Sequence, residues 1–324
     1  MKVLVTGANG FLSGYIIRNL NTEGYETYGM LRQNANITNL KDLTLQCIYG
    51  NLNNEDDVNE AVRGKQVIIH AAALTSPSAS WNEYYKVNVR ACKTLINAAI
   101  NQGCETIIYV STANTIGYGD EESPGNEKLT MSEEFKASHY AYSKYLAEQL
   151  FLETAQEGKI RVVIVNPSFM LGYDPVGKSS GSIFRIFARN RILLIPPGGK
   201  NFVYVNDVAK AICTAIEFGE NGQRYLLVNR NLSYEAFFEK LKNLTGIRKK
   251  IIRIKTPLIM VAGYGGSFLR AFGLKSSLSK ENASILSIKN YYTANKAIKH
   301  LRMPQTDIDV AIMEGWRAMN PEKF

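Results

Sequence analysis

The segment at residues 3–14, VLVTGANGFLSG, restricts the fold of this chain more than any other feature. A run of β-forming residues enters a turn at Gly7 and Gly10, and an amphipathic helix begins at once. Gly7 permits a tight turn, and Gly10 lets the backbone approach a ligand closely. The free N–H groups and the dipole at such a helix start attract phosphate. We therefore predict a phosphate-binding turn that contains Gly7, Asn9, Gly10, Phe11 and Leu12.

Short β-rich runs alternate with helical patterns over the first 165 residues. We predict strands at Lys2–Thr6, Glu26–Leu31, Leu45–Tyr49, Val67–His70, Thr106–Ser111 and Arg161–Val165. Helices are predicted at Phe11–Asn21, Glu55–Arg63, Trp81–Gln102 and Tyr140–Glu157. Several strands are nearly continuous Val, Ile and Leu, which is typical of parallel strands covered on both faces. The pattern predicts an α/β fold with a doubly wound, Rossmann-type parallel sheet.

The alternation changes after Pro167, and glycine- and proline-rich breaks follow at Gly172–Gly181 and Pro196–Gly199. A chain of 324 residues suits one large domain and a smaller one. We predict a dinucleotide-binding domain at residues 1–165, joined by residues 201–220. Residues 166–200 and 221–324 are predicted to form a smaller, C-terminal substrate-binding lobe.

The net charge of +9 is concentrated in one segment. Residues 240–302 hold fourteen Lys or Arg and one acid, Glu281, a local net charge of +13. This excess indicates an anionic small-molecule substrate, a membrane surface or nucleic acid, or simply a solvated lysine-rich face. We exclude nucleic acid because the segment has no aromatic-interleaved groove motif or zinc module. The apolar stretch Pro257–Phe272, flanked by basic residues, leaves a peripheral membrane contact open.

Other features of the sequence define the expected compartment. There is no uninterrupted run of about 18 apolar residues, so a transmembrane segment is not expected. The start of the chain lacks the apolar core and cleavage site of a signal peptide. Four cysteines lie far apart without a C-x-x-C pair, and three histidines are scattered, so no metal site is expected. We predict a cytoplasmic protein with reduced thiols.

Tyr140 and Lys144 lie four residues apart and therefore share one face of the predicted helix. Hydride transfer to a carbonyl needs a proton donor at the oxygen, and a free tyrosine has a pKa of about 10. We expect the Lys144 ammonium and an oxidised nicotinamide to lower the pKa of Tyr140. Lys144 would also hold the ribose hydroxyls. Tyr142 is the rival tyrosine, but it lacks a lysine at this spacing.

The end of the second strand indicates which nucleotide is bound. A carboxylate there accepts from the ribose of NAD, but Tyr28–Gln33 contains no acid and offers Arg32. Arg32 can bind a 2′-phosphate through paired charge-assisted hydrogen bonds, with Lys41 as a helper. NADP is therefore predicted over NAD.

The adenine side of the same site follows the third and fourth strands. Asn51, beside Leu52, can accept from an adenine amino group through its amide oxygen. Small side chains after the fourth strand would let a cofactor lie against the backbone, and these are Ala71, Ala72 and Ala73.

These motifs together resemble those of a known family. The turn has the T-G-x-x-G-x-x-G form with Ser13 in place of the third glycine, and Tyr140 and Lys144 form a Y-x-x-x-K pair. The chain resembles an extended short-chain dehydrogenase/reductase of the NAD-dependent epimerase/dehydratase family over nearly its whole length. The segments MLRQNANITNL, Asn166–Ser168 and Phe202–Val208 are most similar to the dihydroflavonol 4-reductase-like branch.

The resemblance implies hydride transfer at a ketone or secondary alcohol carbon. It implies that Thr112 is the hydroxyl that binds the substrate oxygen, with Ser111 as an alternative. Asn88 matches a frequent family asparagine that fixes helix geometry near the site. Pro167 and Ser168 match the segment beside the nicotinamide. The family also implies a homodimer.

Three activities remain to be weighed. Dehydratases of the family carry an acidic pair after the catalytic threonine, and this chain has Ala113 and Asn114 there, so we set dehydration aside. An NADP-dependent ketone or aldehyde reductase is the first interpretation. A nucleotide-sugar epimerase with a tightly bound nucleotide is the second. A non-catalytic NADP-sensing regulator is the third, but such proteins tend to lose the tyrosine–lysine pair.

Overall fold

The computed structural model describes residues 1–174, 181–271 and 280–319, with side chains described except at residues 267–271 and 281. Residues 175–180 of the predicted break at Gly172–Gly181 therefore lie outside the described residues. So does Phe272, at the end of the predicted apolar stretch. The strands in chain order are β1 (Lys2–Thr6), β2 (Glu26–Leu31), β3 (Gln46–Tyr49), β4 (Val67–His70), β5 (Thr106–Val110), β6 (Arg161–Pro167), β7 (Phe169–Leu171), β8 (Ile192–Ile195), β9 (Gly199–Tyr204), β10 (Gln223–Leu227), β11 (Arg230–Ser233), β12 (Lys250–Arg253) and β13 (Lys289–Asn290).

Helices separate most of these strands. The α-helices in chain order are α1 (Phe11–Thr22), α2 (Glu55–Val62), α3 (Trp81–Tyr84), α4 (Ala91–Asn101), α5 (Glu133–Lys136), α6 (His139–Glu157), α7 (Gly181–Arg189), α8 (Val205–Phe218), α9 (Tyr234–Thr245), α10 (Thr256–Ala271), α11 (Lys280–Ser287), α12 (Asn295–Leu301) and α13 (Ile308–Met319). A π-helix at Tyr85–Arg90 joins α3 to α4. Short 3₁₀ turns lie at Thr38–Leu40 and Ala113–Thr115.

The main sheet has seven parallel strands in the order β10-β6-β5-β4-β1-β2-β3. Both of its faces are covered, because Val3 and Val5 of β1 enter one buried cluster while Leu4 enters the other. The predicted doubly wound α/β fold is confirmed. The strand order reverses between β1 and β4, and in such sheets ligands bind at the carboxyl ends of the strands at this point.

A second, four-stranded sheet forms from β11, β9 and β13, with β7 beside β9. A two-stranded pair, β12 and β8, completes the described strands. β10 was predicted to lie in the smaller lobe. The structure instead places it at the edge of the main sheet, where it pairs with β6. Residues 201–220, which were predicted to join the dinucleotide-binding domain, are divided between the two sheets. β9 lies in the second sheet, and α8 packs against α1 on the main sheet.

Candidate active site

The turn after β1 has a geometry that only glycine allows at its first position. Gly7 has φ +66°, and a Cβ there would lie 2.8 Å from Cα of Ala72. The N–H of Gly10 donates to the Gly7 carbonyl at 2.9 Å, which closes the turn. Gly10 caps α1 without a side-chain hydrogen bond, and the first turn of α1 has no acidic residue. The helix N-terminus therefore presents backbone N–H groups and positive potential to an anion.

The other residues predicted in the turn contribute in different ways. Leu12 is buried in the core, so its backbone N–H rather than its side chain can contact a ligand. The Asn9 carbonyl accepts from Nδ2 of Asn39 at 3.4 Å. Phe11 is half-buried and lines the large cavity described below. The turn thus fits the diphosphate of a dinucleotide.

Arg32 follows the last residue of β2 and is exposed. This strand end lies beside the turn, because the N–H of Ala8 approaches the Met30 carbonyl at 3.4 Å. Lys41 is placed differently from Arg32. It lines a cavity of about 310 Å³ together with Tyr15 and Arg18.

The residues predicted on the adenine side differ in their freedom to bind. Asn51 is exposed, and its amide oxygen already accepts from the N–H of Asn53 at 3.0 Å. Leu52 packs against the buried cluster on one face of the main sheet. The Ala71–Ala73 backbone is half-buried, and the N–H of Ala72 donates to Oγ1 of Thr6 at 3.3 Å. This hydrogen bond holds Ala72 against Gly7.

Asn88 joins three elements near the site. It lies in the π-helix, a form of helix that is frequent at functional sites. Its amide oxygen accepts from the N–H of Leu74 at 2.7 Å, and its Nδ2 donates to the Leu74 carbonyl at 3.1 Å. Nδ2 also lies 2.9 Å from Oγ of Ser143 on α6. The asparagine thus ties the loop after β4 to the helix that carries Tyr140.

Burial controls the protonation of the tyrosine–lysine pair. Tyr140 is half-buried and packs beside Tyr84, with ring centroids 6.3 Å apart. Burial, with a smaller contribution from Tyr84, raises the pKa of Tyr140 to about 12. The expected lowering of this pKa is therefore not seen in the protein alone, because burial disfavours the charged phenolate.

Lys144 is buried against β5. Its Nζ donates to the Val110 carbonyl at 2.7 Å and lies 4.1 Å from the centre of the Tyr109 ring. Burial lowers the pKa of Lys144 to about 8. The side chain is therefore mostly an ammonium at neutral pH.

The structure distinguishes the two hydroxyls that follow β5. Ser111 donates its Oγ hydrogen to Oε2 of Glu148 at 2.6 Å, which commits this hydroxyl to the protein interior. Thr112 lines the same cavity as Tyr140. The geometry therefore favours Thr112 over Ser111 as the hydroxyl that a substrate can reach.

A cavity of about 550 Å³ opens between the carboxyl ends of the main sheet and the second sheet. This volume is within the ordinary range of small-molecule sites. Ser168 lines it and donates to Oδ1 of Asn201 at 2.6 Å, whereas the preceding Pro167 is buried. The described residues that line it are Phe11, Thr75, Pro77, Thr112, Ala113, Asn114, Tyr140, Ser168, Phe169, Met170, Ser182, Lys200, Asn201, Asn290 and Tyr292.

Glu148 is a buried residue that the sequence analysis missed. Its Oε2 accepts from Oγ of Ser111 at 2.6 Å, Oγ1 of Thr115 at 2.7 Å and Nδ2 of Asn166 at 2.9 Å. Its Oε1 lies 3.5 Å from Nη1 of Arg224 on β10. One carboxylate thus joins the ends of β5, β6 and β10. Its spacing of four from Lys144 was the available signal, because both residues share one face of α6.

A glycine turn at the switch point of a parallel sheet, with a tyrosine and a lysine on one helix face, defines a short-chain dehydrogenase/reductase. The family profile described as NAD dependent epimerase/dehydratase family matches residues 3–229, and the chain belongs to this family. The predictions of a Rossmann-type fold and of an NAD(P)-dependent enzyme are confirmed.

Three similar proteins illustrate the range of the family. A Synechocystis protein provisionally named dihydroflavonol 4-reductase is 29% identical over 96% of this chain and 92% of its own length. The crystal structure of gox2253 has a TM-score of 0.85 and 25% identity, and covers 97% of each chain. The Thermus thermophilus UDP-glucose 4-epimerase, solved in complex with NAD, has a TM-score of 0.78 and 19% identity, and covers 98% of this chain and 99% of its own. Within the described ranges, no helix is both long enough and apolar enough to cross a bilayer.

The Glu148 network generates a stability prediction. Glu148→Ala should lower the free energy of unfolding by about 3–5 kcal/mol, because it leaves Arg224 and three buried polar groups without their common partner. Urea unfolding followed by circular dichroism measures the change. Glu153→Ala, at an exposed position of the same helix, is the matched control and should change it by less than about 0.5 kcal/mol. Equal small effects of both substitutions would contradict the assigned role.

Proposed function

We propose that this protein is an NADP-dependent oxidoreductase that reduces a ketone or aldehyde, or oxidises a secondary alcohol, by hydride transfer. Tyr140, Lys144 and Thr112 are its catalytic residues. The observation that carries the proposal is that Thr112 and Tyr140 line one cavity together with Phe11 of the glycine turn. Nζ of Lys144 donates to the carbonyl of Val110, which lies two residues before Thr112. The name of the Synechocystis relative, a reductase, supports the same direction.

The residues present fit a dinucleotide. The uncapped start of α1 and the close approach of Gly7 to Ala72 suit a diphosphate, and Arg32 suits a 2′-phosphate. In this binding mode Ala71–Ala73 and Leu52 would lie on the adenine side, and Pro167–Ser168 would lie beside the nicotinamide. When bound, NADP(H) supplies or accepts the hydride, and its oxidised ring adds a positive charge.

Each catalytic side chain has a role that follows from its protonation. Because the pKa of Tyr140 is raised to about 12, its phenol is protonated at neutral pH and can donate to a carbonyl oxygen. Thr112 donates a hydrogen bond that holds the same oxygen. Lys144 keeps one N–H on the Val110 carbonyl and has two others for ribose hydroxyls. The Tyr84 hydroxyl donates to the Ser76 carbonyl at 2.6 Å, which fixes the ring against which Tyr140 packs.

A nucleotide-sugar epimerase with tightly bound NAD(P) is the second candidate. It uses the same tyrosine and lysine, and the one cationic side chain among the described residues lining the cavity, Lys200, suits a diphosphate. The reductase is preferred because Arg32 favours the exchangeable cofactor NADP and Tyr140 is kept in its acid form. A regulator without activity has no need of a buried, paired Lys144.

Tyr140→Phe should lower kcat about 10²- to 10⁴-fold, because the variant keeps the ring but loses the proton donor. The rate is measured from the absorbance of NADPH with a panel of ketones and aldehydes. Tyr142→Phe, on the same helix but stacked on Trp81, is the matched control and should retain wild-type turnover. Full activity of Tyr140→Phe would refute the catalytic assignment.

Arg32→Ala should weaken NADPH binding roughly ten-fold and leave NADH binding unchanged, because only NADPH offers a 2′-phosphate to the guanidinium. Fluorescence titration of both nucleotides with wild type and variant measures the effect. A wild type that binds NADH more tightly than NADPH would be inconsistent with the proposed cofactor.

We also propose a peripheral membrane contact through α10. Leu258, Val261 and Tyr264 recur at helical spacing on one face of α10 and are 63%, 70% and 54% exposed. The preceding residues Lys249–Lys255 carry four positive charges. An apolar face beside basic residues suits the surface of an anionic bilayer.

Vesicles of phosphatidylserine should sediment the wild type at low salt and release most of it at high salt. Leu258→Glu with Val261→Glu should abolish sedimentation, whereas Val310→Glu, at an exposed apolar position of α13, should not. Failure of the wild type to sediment at low salt would disprove the contact. A homodimer through α4 and α6 and a cytoplasmic location stay predictions. The two-domain division at residues 165–166, 200–201 and 220–221 also stays a prediction, except that β10 pairs in the main sheet and β9 in the second sheet.

A further inference from the structure

The wall of the cavity formed by the second sheet carries polar groups that the proposed chemistry does not use. Lys200 on β9 and Asn290 on β13 are paired positions of neighbouring parallel strands. Side chains at paired positions lie on the same face of a sheet. Both residues line the cavity that also contains Thr112 and Tyr140, and Tyr292 lines it two residues after Asn290.

Lys200 is a cation with no acidic partner among the residues that the structure describes. Its Nζ lies 5.2 Å from the centre of the Phe169 ring. No Asp or Glu occurs among the described residues lining the cavity, and no described acid forms an ion pair with Lys200. Burial lowers the pKa of Lys200, which reflects the cost of keeping this ammonium out of water. A ligand anion would offset that cost.

Asn290 and Tyr292 are 5% and 2% exposed, and each has a buried polar atom without a hydrogen-bond partner in the described structure. These atoms are Oδ1 of Asn290 and the hydroxyl of Tyr292. Most buried polar atoms in native proteins are paired, so two orphans on one cavity wall indicate partners that arrive with a ligand. The Tyr292 hydroxyl can donate a hydrogen bond to an anion, whereas the unpaired Oδ1 of Asn290 is an acceptor and suits a donor group of the ligand, such as a hydroxyl.

This wall is fixed in position by side-chain amides. Asn231 accepts from the N–H of Tyr292 and donates to its carbonyl, both at 3.1 Å. Nδ2 of Asn201 donates to Oδ1 of Asn231 at 2.7 Å, and Oδ1 of Asn201 accepts from Ser168 at 2.6 Å. The polar wall is therefore held at a set distance from Ser168, on the nicotinamide side of the proposed site.

We propose that Lys200, assisted by the Tyr292 hydroxyl, binds an anionic group of the substrate, which is a ketone or secondary alcohol that also bears a carboxylate or a phosphate. The apolar lining of Phe11, Pro77 and Met170 contacts the carbon skeleton between the two groups. This inference rests on the proposed oxidoreductase function, because it assigns the substrate class of the same cavity.

Calorimetric titration at saturating NADP⁺ tests the proposal with three probes: 3-hydroxyoctanoate, its neutral methyl ester and UDP-glucose. We expect wild type to bind one of the two anions, and Lys200→Met to weaken that binding roughly 10- to 100-fold. Which anion depends on Lys200 identifies the source as a carboxylate or a phosphate. Binding of the ester should be unaffected by the substitution, Lys200→Arg should restore most of the anion affinity, and exposed Lys210→Met should match wild type.

The proposal is overturned if neither anion shows binding that depends on Lys200, or if the acid and the ester bind equally well and UDP-glucose does not bind. Turnover is scored separately by NADPH formation. If the protein binds an anion through Lys200 but reduces no NADP⁺ with any alcohol, the anion subsite stands and the oxidoreductase function is refuted. If the acid and the ester are oxidised with equal kcat/KM and UDP-glucose does not bind through Lys200, the oxidoreductase stands and the anion subsite is refuted.

Discussion

The geometry of the site depends on the buried carboxylate of Glu148. This one group accepts hydrogen bonds from the loop that follows β5 and from Asn166 near the end of β6, and it pairs with Arg224 from the edge strand β10. A buried charge is tolerated only when its partners are all present, so the three strand ends are fixed together. Because Ser111 is committed to Glu148, the chain turns at the next residue and Thr112 reaches the cavity. The cavity wall at Ser168 is set by the same strand ends.

Desolvation sets the protonation of the proposed catalytic pair, Tyr140 and Lys144, before any ligand binds. It raises the pKa of Tyr140 to about 12 and lowers that of Lys144 to about 8, so the phenol is kept neutral and the ammonium is only moderately acidic. A neutral phenol can donate a proton to a carbonyl oxygen, which suits the reductive direction. The reverse direction needs phenolate, which the protein alone disfavours. The nearby His70 does not contribute a proton, since complete burial lowers its pKa to about 3 and it bonds Thr6 at 2.7 Å.

Local patterns predicted most of the main sheet, because continuous apolar runs and a glycine turn specify parallel strands without reference to distant residues. β1, β2 and β4 have the predicted bounds, and β3, β5 and β6 differ from theirs by no more than two residues at either end. β10 was wrongly predicted in the smaller lobe, because the sequence of a short apolar strand does not indicate which sheet it joins. Its position follows from pairing with β6, a contact distant in sequence.

The candidate site was predictable where residues act through spacing on one element, as Tyr140 and Lys144 do on α6. It was not predictable where long-range contacts decide. The π-helix around Asn88 depends on hydrogen bonds to Leu74 and Ser143, and no residue type in the segment predicts a π-helix. In the sequence, Glu148 is not distinguishable from a solvent-exposed glutamate on a helix. Only in the folded chain is it surrounded by hydrogen-bond donors. Lys144 likewise donates to the Val110 carbonyl, and the burial of Tyr140 itself raises the pKa that we expected to be lowered.

The most direct test of hydride transfer to a released product is to follow a deuterium label. The protein is incubated with NADPH deuterated at both C4 positions and a 3-oxo acid or its methyl ester, and the products are analysed by mass spectrometry. The account predicts an alcohol that carries one deuterium at the former carbonyl carbon, with stoichiometric formation of NADP⁺. If the deuterium stays on the protein-bound nucleotide and no deuterated alcohol is released, the account is contradicted.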